Sequence, residues 1–216
     1  MTRYRTILFD LDGTLIDSIR LILNSYHHTL ARHGIPARTD DEWLAGVGTP
    51  LRSQFSPWND QPELIEAMVE TYREYNLANH DTMVTAYAGI EDVLRRIKTA
   101  GLRTGLVTSK NRQGAFRGLD LHGLTPYLDV LVCADDVVNP KPHPEPVEKA
   151  VTLLEGDRAT TVFFGDSTHD INAGRAAGVT TAAVLWGPFS RTHLAPCCPD
   201  HWLERPEEIL EVIGLE

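Results

Sequence analysis

The chain has 216 residues, 42% hydrophobic and 23% charged, which fits a soluble core domain carrying a small second unit. Its 30 acidic against 20 basic residues leave a formal net charge of −10. That balance argues against nucleic acid or an anionic membrane as the main partner, and requires any anionic substrate to be captured locally by a metal or a few placed cations. No apolar stretch approaches the roughly 20 residues that span a bilayer. No signal peptide is expected ahead of the first strand-like run, and an odd cysteine count with a vicinal pair (Cys133, Cys197, Cys198) points to a reducing, cytoplasmic setting.

In chain order, the apolar run 6–9 predicts a buried strand, and further runs follow at 104–107, 130–133, 161–164 and 181–185. Continuous apolar runs rich in β-branched residues are the pattern of parallel strands covered on both faces. Helical periodicity falls between them. Residues 19–33 put Ile19, Ile22, Leu23, Tyr26 and Leu30 on one face, and 40–45 suggests a short helix. Residues 63–77 align Leu64, Ala67, Met68, Thr71 and Tyr75, and 90–100 align Ile90, Val93, Leu94 and Ile97 before a stop at Gly101. Helices are also expected over 145–154 and over 170–177, the latter ending at Gly178.

The alternation predicts an α/β fold, an open, mostly parallel, Rossmann-like sheet flanked by helices with right-handed crossovers. About 75 residues without a convincing strand separate the first run from the helix at 90, more than one crossover needs. Residues 17–83 are therefore expected to form an inserted all-helical unit, with 1–16 and 84–216 as the core.

Open α/β sheets bind ligands beyond the carboxyl ends of their strands. The first strand ends in Asp10 and Asp12, the second in Thr108-Ser109, the third in Asp135-Asp136 with Lys141 beyond, and the fourth in Gly165-Asp166 with Asp170 four residues on. Adjacent parallel strands are expected to bring these groups to one spot. Crowded carboxylates need a cation, and a hard divalent ion such as Mg²⁺ suits Asp10 and Asp166. Thr108 and Lys141 suit anion oxygens, and small residues such as Gly13, Thr14 and Ser109 let backbone N–H groups approach a phosphate. A carboxylate beside such a site can act as the nucleophile, with a second as acid and base.

Four stretches, FDLDGTLIDS (9–18), VTSK (107–110), KPHPEP (141–146) and FFGDSTHDINAGRAAG (163–178), resemble the motifs of haloacid dehalogenase superfamily phosphatases over essentially the whole chain. The resemblance implies an aspartyl-phosphate mechanism on Asp10, with Asp12 as general acid/base and its carbonyl on the metal. It also implies phosphoryl binding by Thr108 and the Ser109 backbone, charge neutralisation by Lys141, and Mg²⁺ ligation by Asp166 with support from Asp170. The 17–83 insertion looks like the family's helical cap. Having the second aspartate of DxD favours phosphate over carbon–halogen chemistry.

The overall pattern is similar to phosphoglycolate phosphatases and bacterial pyrophosphatases. A phosphosugar mutase shares the same core and cap type. The cap loop GVGTPL (46–51) offers Thr49 and Arg52 as substrate readers. The expected partner is a small-molecule phosphate, and the expected state a monomer or homodimer. A response-regulator-like phospho-aspartate domain and a catalytically idle binding module are the rivals from other classes. Thr108 could also cap the helix that follows, and Asp170 could be an N-cap. HLAPCCPDH (193–201) lacks a usual zinc spacing and reads as an exposed, proline-flanked loop.

Overall fold

The computed structural model describes residues 3–44, 46–58 and 60–215. The first strand, β1 (Thr6–Phe9), runs into β2 (Ile16–Asp17), then α1 (Ile19–Arg32), α2 (Asp40–Leu44), α3 (Leu51–Phe55), α4 (Pro62–Met83) and β3 (Thr85–Ala86). The chain continues through α5 (Ile90–Thr99), β4 (Arg103–Val107), α6 (Arg112–Leu121), β5 (Val130–Val132) and α7 (Glu145–Leu153). It ends with β6 (Thr161–Gly165), α8 (Thr168–Ala177), β7 (Thr180–Val184), α9 (Arg191–Leu194), β8 (His201–Leu203) and α10 (Glu208–Ile213).

Six strands form one parallel sheet in the order β5-β4-β1-β6-β7-β8. β1 lies near its centre, with Phe9 paired to Leu106 on one side and Phe164 on the other. Its alternate residues serve both faces. Ile7 and Phe9 pack with Val93, Leu94, Ile97, Ile209 and Ile213. Leu8 packs with Val147, Val151, Phe163 and Ala173 on the opposite face. Double coverage explains why the run carries no polar alternation, and each fully buried side chain contributes about 1.5–3 kcal/mol.

The helices α1–α4 lie between β2 and β3, which pair antiparallel as a two-strand ribbon with Ile16 opposite Ala86. They share their own core of Ile22, Tyr26, Trp43, Phe55, Met68 and Tyr72. Among the described residues no helix is long and apolar enough to cross a membrane.

Several expectations need correction. The helix expected over 63–77 extends to Met83, and it buries Ile65, Met68, Val69, Tyr72, Asn76 and His80. Of the anticipated stripe only Met68 is buried. The misreading has a physical cause, because Asn76 and His80 are polar yet inward, bonded to Ser25 (3.2 Å) and Asp81 (3.0 Å). Helix α6 gave no clear pattern because Gly114 and Gly118 weaken its local preference. A sixth strand, β8, is too short and mixed (His-Trp-Leu) for hydrophobic pattern to mark it, and it stands where PDHWL (199–203) resembles the family's approach to a last strand. The stretch 193–201 is not a plain loop, since it contains part of α9, a 3-10 turn over Ala195–Cys197 and the start of β8. Ala45, the last residue of the helix expected over 40–45, lies outside the described residues.

Candidate active site

Asp10 follows β1 directly, its N–H donating to the Phe164 carbonyl at 2.9 Å, so the ladder delivers its carboxyl to the sheet's carboxyl edge. Lys141 reaches in from the loop before α7 and is 2% exposed. Its ammonium donates to Asp10 Oδ1 (2.7 Å), Asp170 Oδ1 (2.5 Å) and the Val107 carbonyl (3.1 Å), which uses all three donors. Burial disfavours the lysine's charge, but the facing Asp10 and Asp170 carboxylates outweigh it and hold Lys141 above the usual lysine range.

Burial raises the Asp10 carboxyl to about 7, against the pull of Lys141 and with added repulsion from Asp170 and Asp12. Burial, then Asp170 and Asp10, push Asp166 well above the ordinary carboxylate range.

Oxygens of Asp10, Asp166 and Asp170 lie within 4.8 Å of one another, and all three residues are buried. Two of the carboxylates meet Lys141, but Asp166 does not. Its Oδ1 accepts from the Thr14 hydroxyl at 3.3 Å, and its Oδ2 is buried with no hydrogen-bond partner among the described residues. An all-oxygen donor set in charge excess, with one orphaned anionic oxygen, suits a hard divalent cation.

Gly13 is what admits Asp166. Its φ is +88°, and a Cβ there would stand 2.4 Å from Asp166 Oδ2. The Gly13 N–H donates to the Ile16 carbonyl at 2.9 Å, so the expectation that this amide faces a phosphate gives way to a steric role.

Asp170 is the third residue of α8 and not its N-cap. Ser167 is the N-cap, accepting from Asp170 N (3.3 Å), while Asp170 Oδ2 accepts from Ser167 N (3.0 Å) and Oγ (2.6 Å). With Oδ1 on Lys141, both Asp170 oxygens are engaged by the protein. This residue anchors the lysine, whereas Asp166 keeps an open oxygen.

Asp12 points away from this cluster. Its Oδ1 accepts from Ser18 Oγ (2.5 Å) and from Lys110 Nζ (2.7 Å). No role for Lys110 follows from the sequence, where its place in VTSK is the one signal that marks it. Thr108 N continues the ladder to Val132 O (2.9 Å), and its hydroxyl oxygen accepts from Lys110 N (3.1 Å). Thr108 does not cap α6, because Asn111 does so by accepting from Gly114 N. Asp135 and Asp136 are not among the three clustered carboxylates, although Asp135 lines the cavity beside Asp10. They accept from Arg112 N (2.7 Å) and Arg112 Nη2 (2.6 Å), and Asp136 also caps the turn at Cys133 N.

A cavity of about 300 Å³ opens beside Asp10. Asp12, Thr108, Lys110 and Asp166 line it from the sheet, and Ile22, Tyr26, Val69 and Tyr72 from the helices. Thr49 and Arg52 also line it. The Thr49 hydroxyl donates to Gly46 O at 2.7 Å, and Arg52 pairs with Glu66.

The sequence pattern of haloacid dehalogenase-like hydrolases matches residues 7–184. "Pyrophosphatase PpaX" of Anoxybacillus flavithermus is 41% identical over 210 residues, covering 97% of each chain. The protein of the same name from Bacillus pumilus is 39% identical over 98% of this chain and 97% of its own. A solved structure titled a "predicted phosphoglycolate phosphatase" from Haemophilus somnus superposes with a TM-score of 0.89 at 22% identity, over 98% of this chain and 99% of the other.

Proposed function

This chain belongs to the haloacid dehalogenase-like hydrolase family and is a phosphate hydrolase, and on that premise we propose that it cleaves pyrophosphate or a small phosphorylated metabolite through an aspartyl-phosphate on Asp10. The observation that carries the reading is Asp10 itself. It is a buried carboxylate at the end of the central strand, ion-paired to Lys141 and facing the Asp166 oxygen that no protein group satisfies. Relatives named pyrophosphatase that match nearly the whole chain support pyrophosphate as the first substrate to try.

The chain's own groups divide the work. Asp10 attacks phosphorus while the Thr108 hydroxyl and the Ser109 backbone hold the phosphoryl oxygens and the Lys141 charge offsets theirs. Asp12 gives a proton to the departing group, then takes one from the water that attacks the aspartyl-phosphate and releases inorganic phosphate. Ser18 and Lys110 hold Asp12 to one side of Asp10, which separates the acid from the nucleophile. Asp10, Asp166 and the Asp12 carbonyl, with Asp170 in support, would hold Mg²⁺, which would supply positive charge to the phosphoryl oxygens. The helical unit 17–83 acts as a cap that excludes bulk water, with Thr49 and Arg52 toward the leaving group.

The test compares kcat/KM for pyrophosphate, 2-phosphoglycolate and hexose phosphates with Mg²⁺. Release of inorganic phosphate from at least one is expected. Conversion of a hexose phosphate only to its isomer would instead make the chain a mutase.

A further inference from the structure

The loop 46–50 joins α2 to α3 and forms a wall of the cavity. It is braced from within the helical unit. Thr49 N and Oγ1 both donate to Gly46 O, at 3.1 and 2.7 Å, and Gln54 Nε2 donates to Thr49 O at 2.8 Å. The Tyr26 hydroxyl of α1 donates to Gln54 Oε1, so the loop is tied to the aromatic core of the helices. Among the described residues, its hydrogen bond to the sheet edge is made by the Gly48 carbonyl, which accepts from the Ser109 hydroxyl.

Gly48 is built into that seat. Its φ is +97°, and a Cβ there would lie 3.1 Å from the His169 ring and 3.2 Å from Ser167 Oγ. The loop therefore wedges between the segment after β4, which carries Ser109, and the segment after β6, which carries Ser167 and His169. A side chain at position 48 would both strain the backbone and push the loop off the edge.

We infer that Ser109 is a positioning residue whose hydroxyl seats the 46–50 loop on the sheet edge through the Gly48 carbonyl, closing the cavity over Asp10. The Ser109 backbone stays available to the phosphoryl group, while the side chain works on the loop. The kinetic consequence rests on the phosphohydrolase reading above. The seating itself does not.

Two readouts decide it, both on the full-length chain. By hydrogen exchange, Ser109→Ala speeds exchange of the amides at 46–49 while leaving the six-strand sheet at its wild-type rates, and Ser109→Thr restores protection. In turnover, Ser109→Ala lowers kcat/KM about five- to tenfold, the scale of one lost hydrogen bond. Gly48→Ala lowers it at least as much, and the double variant falls within about twofold of Gly48→Ala alone, because both changes remove the same contact. Wild-type exchange at 46–50 in Ser109→Ala, or losses that multiply in the double variant, would overturn the inference. If Gly48→Ala fails to fold, the alanine and threonine variants of Ser109 decide it by exchange and kcat/KM. If the wild-type chain hydrolyses no phosphate, the functional reading fails and the exchange result still stands or falls separately.

Discussion

The carboxyl edge of the sheet and the helical unit facing it bury different kinds of surface. At the edge, three carboxylates and one lysine are nearly sealed from solvent, with Asp166 1% and Asp170 1% exposed. In the helical unit the buried centre is aromatic, with Tyr26 stacked on Trp43 at 4.2 Å between ring centroids and Phe55 and Tyr72 packed around the pair. Ion pairs there, such as Arg52–Glu66 and Arg38–Glu42, are partly or largely exposed. The edge concentrates uncompensated charge that costs stability and favours a cation and an anionic ligand. The helical unit concentrates apolar stability and, among its described residues, carries no comparable carboxylate cluster. The charged edge and the aromatic core thus rest on separable physical terms, and each is expected to be removable without the other.

The largest expected effect breaks only the edge. Asp10→Asn lowers kcat by about 10³-fold or more, since it deletes the nucleophile, while the thermal unfolding midpoint stays at or above that of the wild type. Phe55→Ala breaks only the helical side. Phe55 is fully buried, and its truncation costs about 3–5 kcal/mol in denaturant unfolding. Divalent-metal affinity, measured by calorimetry, is expected to stay near wild type because Asp10, Asp166 and Asp170 all lie outside the helical unit.

On the proposed Mg²⁺ mechanism, a chelator is expected to stop phosphate release. It also lowers the unfolding midpoint, by the equivalent of about 2.7 kcal/mol relative to metal at a hundredfold excess over its dissociation constant.

A further effect concerns pH. In metal-free protein the Asp10 carboxyl sits near about 7, raised by burial from an ordinary value of 3.8. The native state therefore holds this proton more tightly than the unfolded chain. Its contribution to stability is fully present below about 4 and is lost as pH rises towards 7. Measured against Asp10→Asn, the wild-type midpoint should fall across that window, and a flat difference would remove the desolvation argument.

Much of the edge was legible because the residues that end parallel strands must meet at one place. The runs ending at Asp10, Thr108 and Asp166 needed only their order and hydrophobicity to be read together. What escaped had no local signature. Lys110 meets Asp12 across 98 residues of chain, and neither neighbourhood hints at the other. Asp135 and Asp136 had the right position at a strand end, but Arg112 on α6 takes them, and α6 itself was hidden by its glycines. The buried face of α4 was misread because Asn76 and His80 face inward with partners that only tertiary packing supplies. Asp170 was placed correctly on a helix, but whether it holds the lysine or a metal depends on Ser167 and Lys141 bonds that hydrophobic periodicity does not encode.

The most direct measurement is acid quench of the Mg²⁺-loaded protein during turnover of ³²P-labelled pyrophosphate, followed by peptide mapping. The expected result is a hydroxylamine-sensitive label on the peptide that contains Asp10, formed and lost at rates compatible with turnover, and absent in Asp10→Asn. Sustained phosphate release with no labelled protein, or undiminished turnover in Asp10→Asn, would contradict the aspartyl-phosphate account.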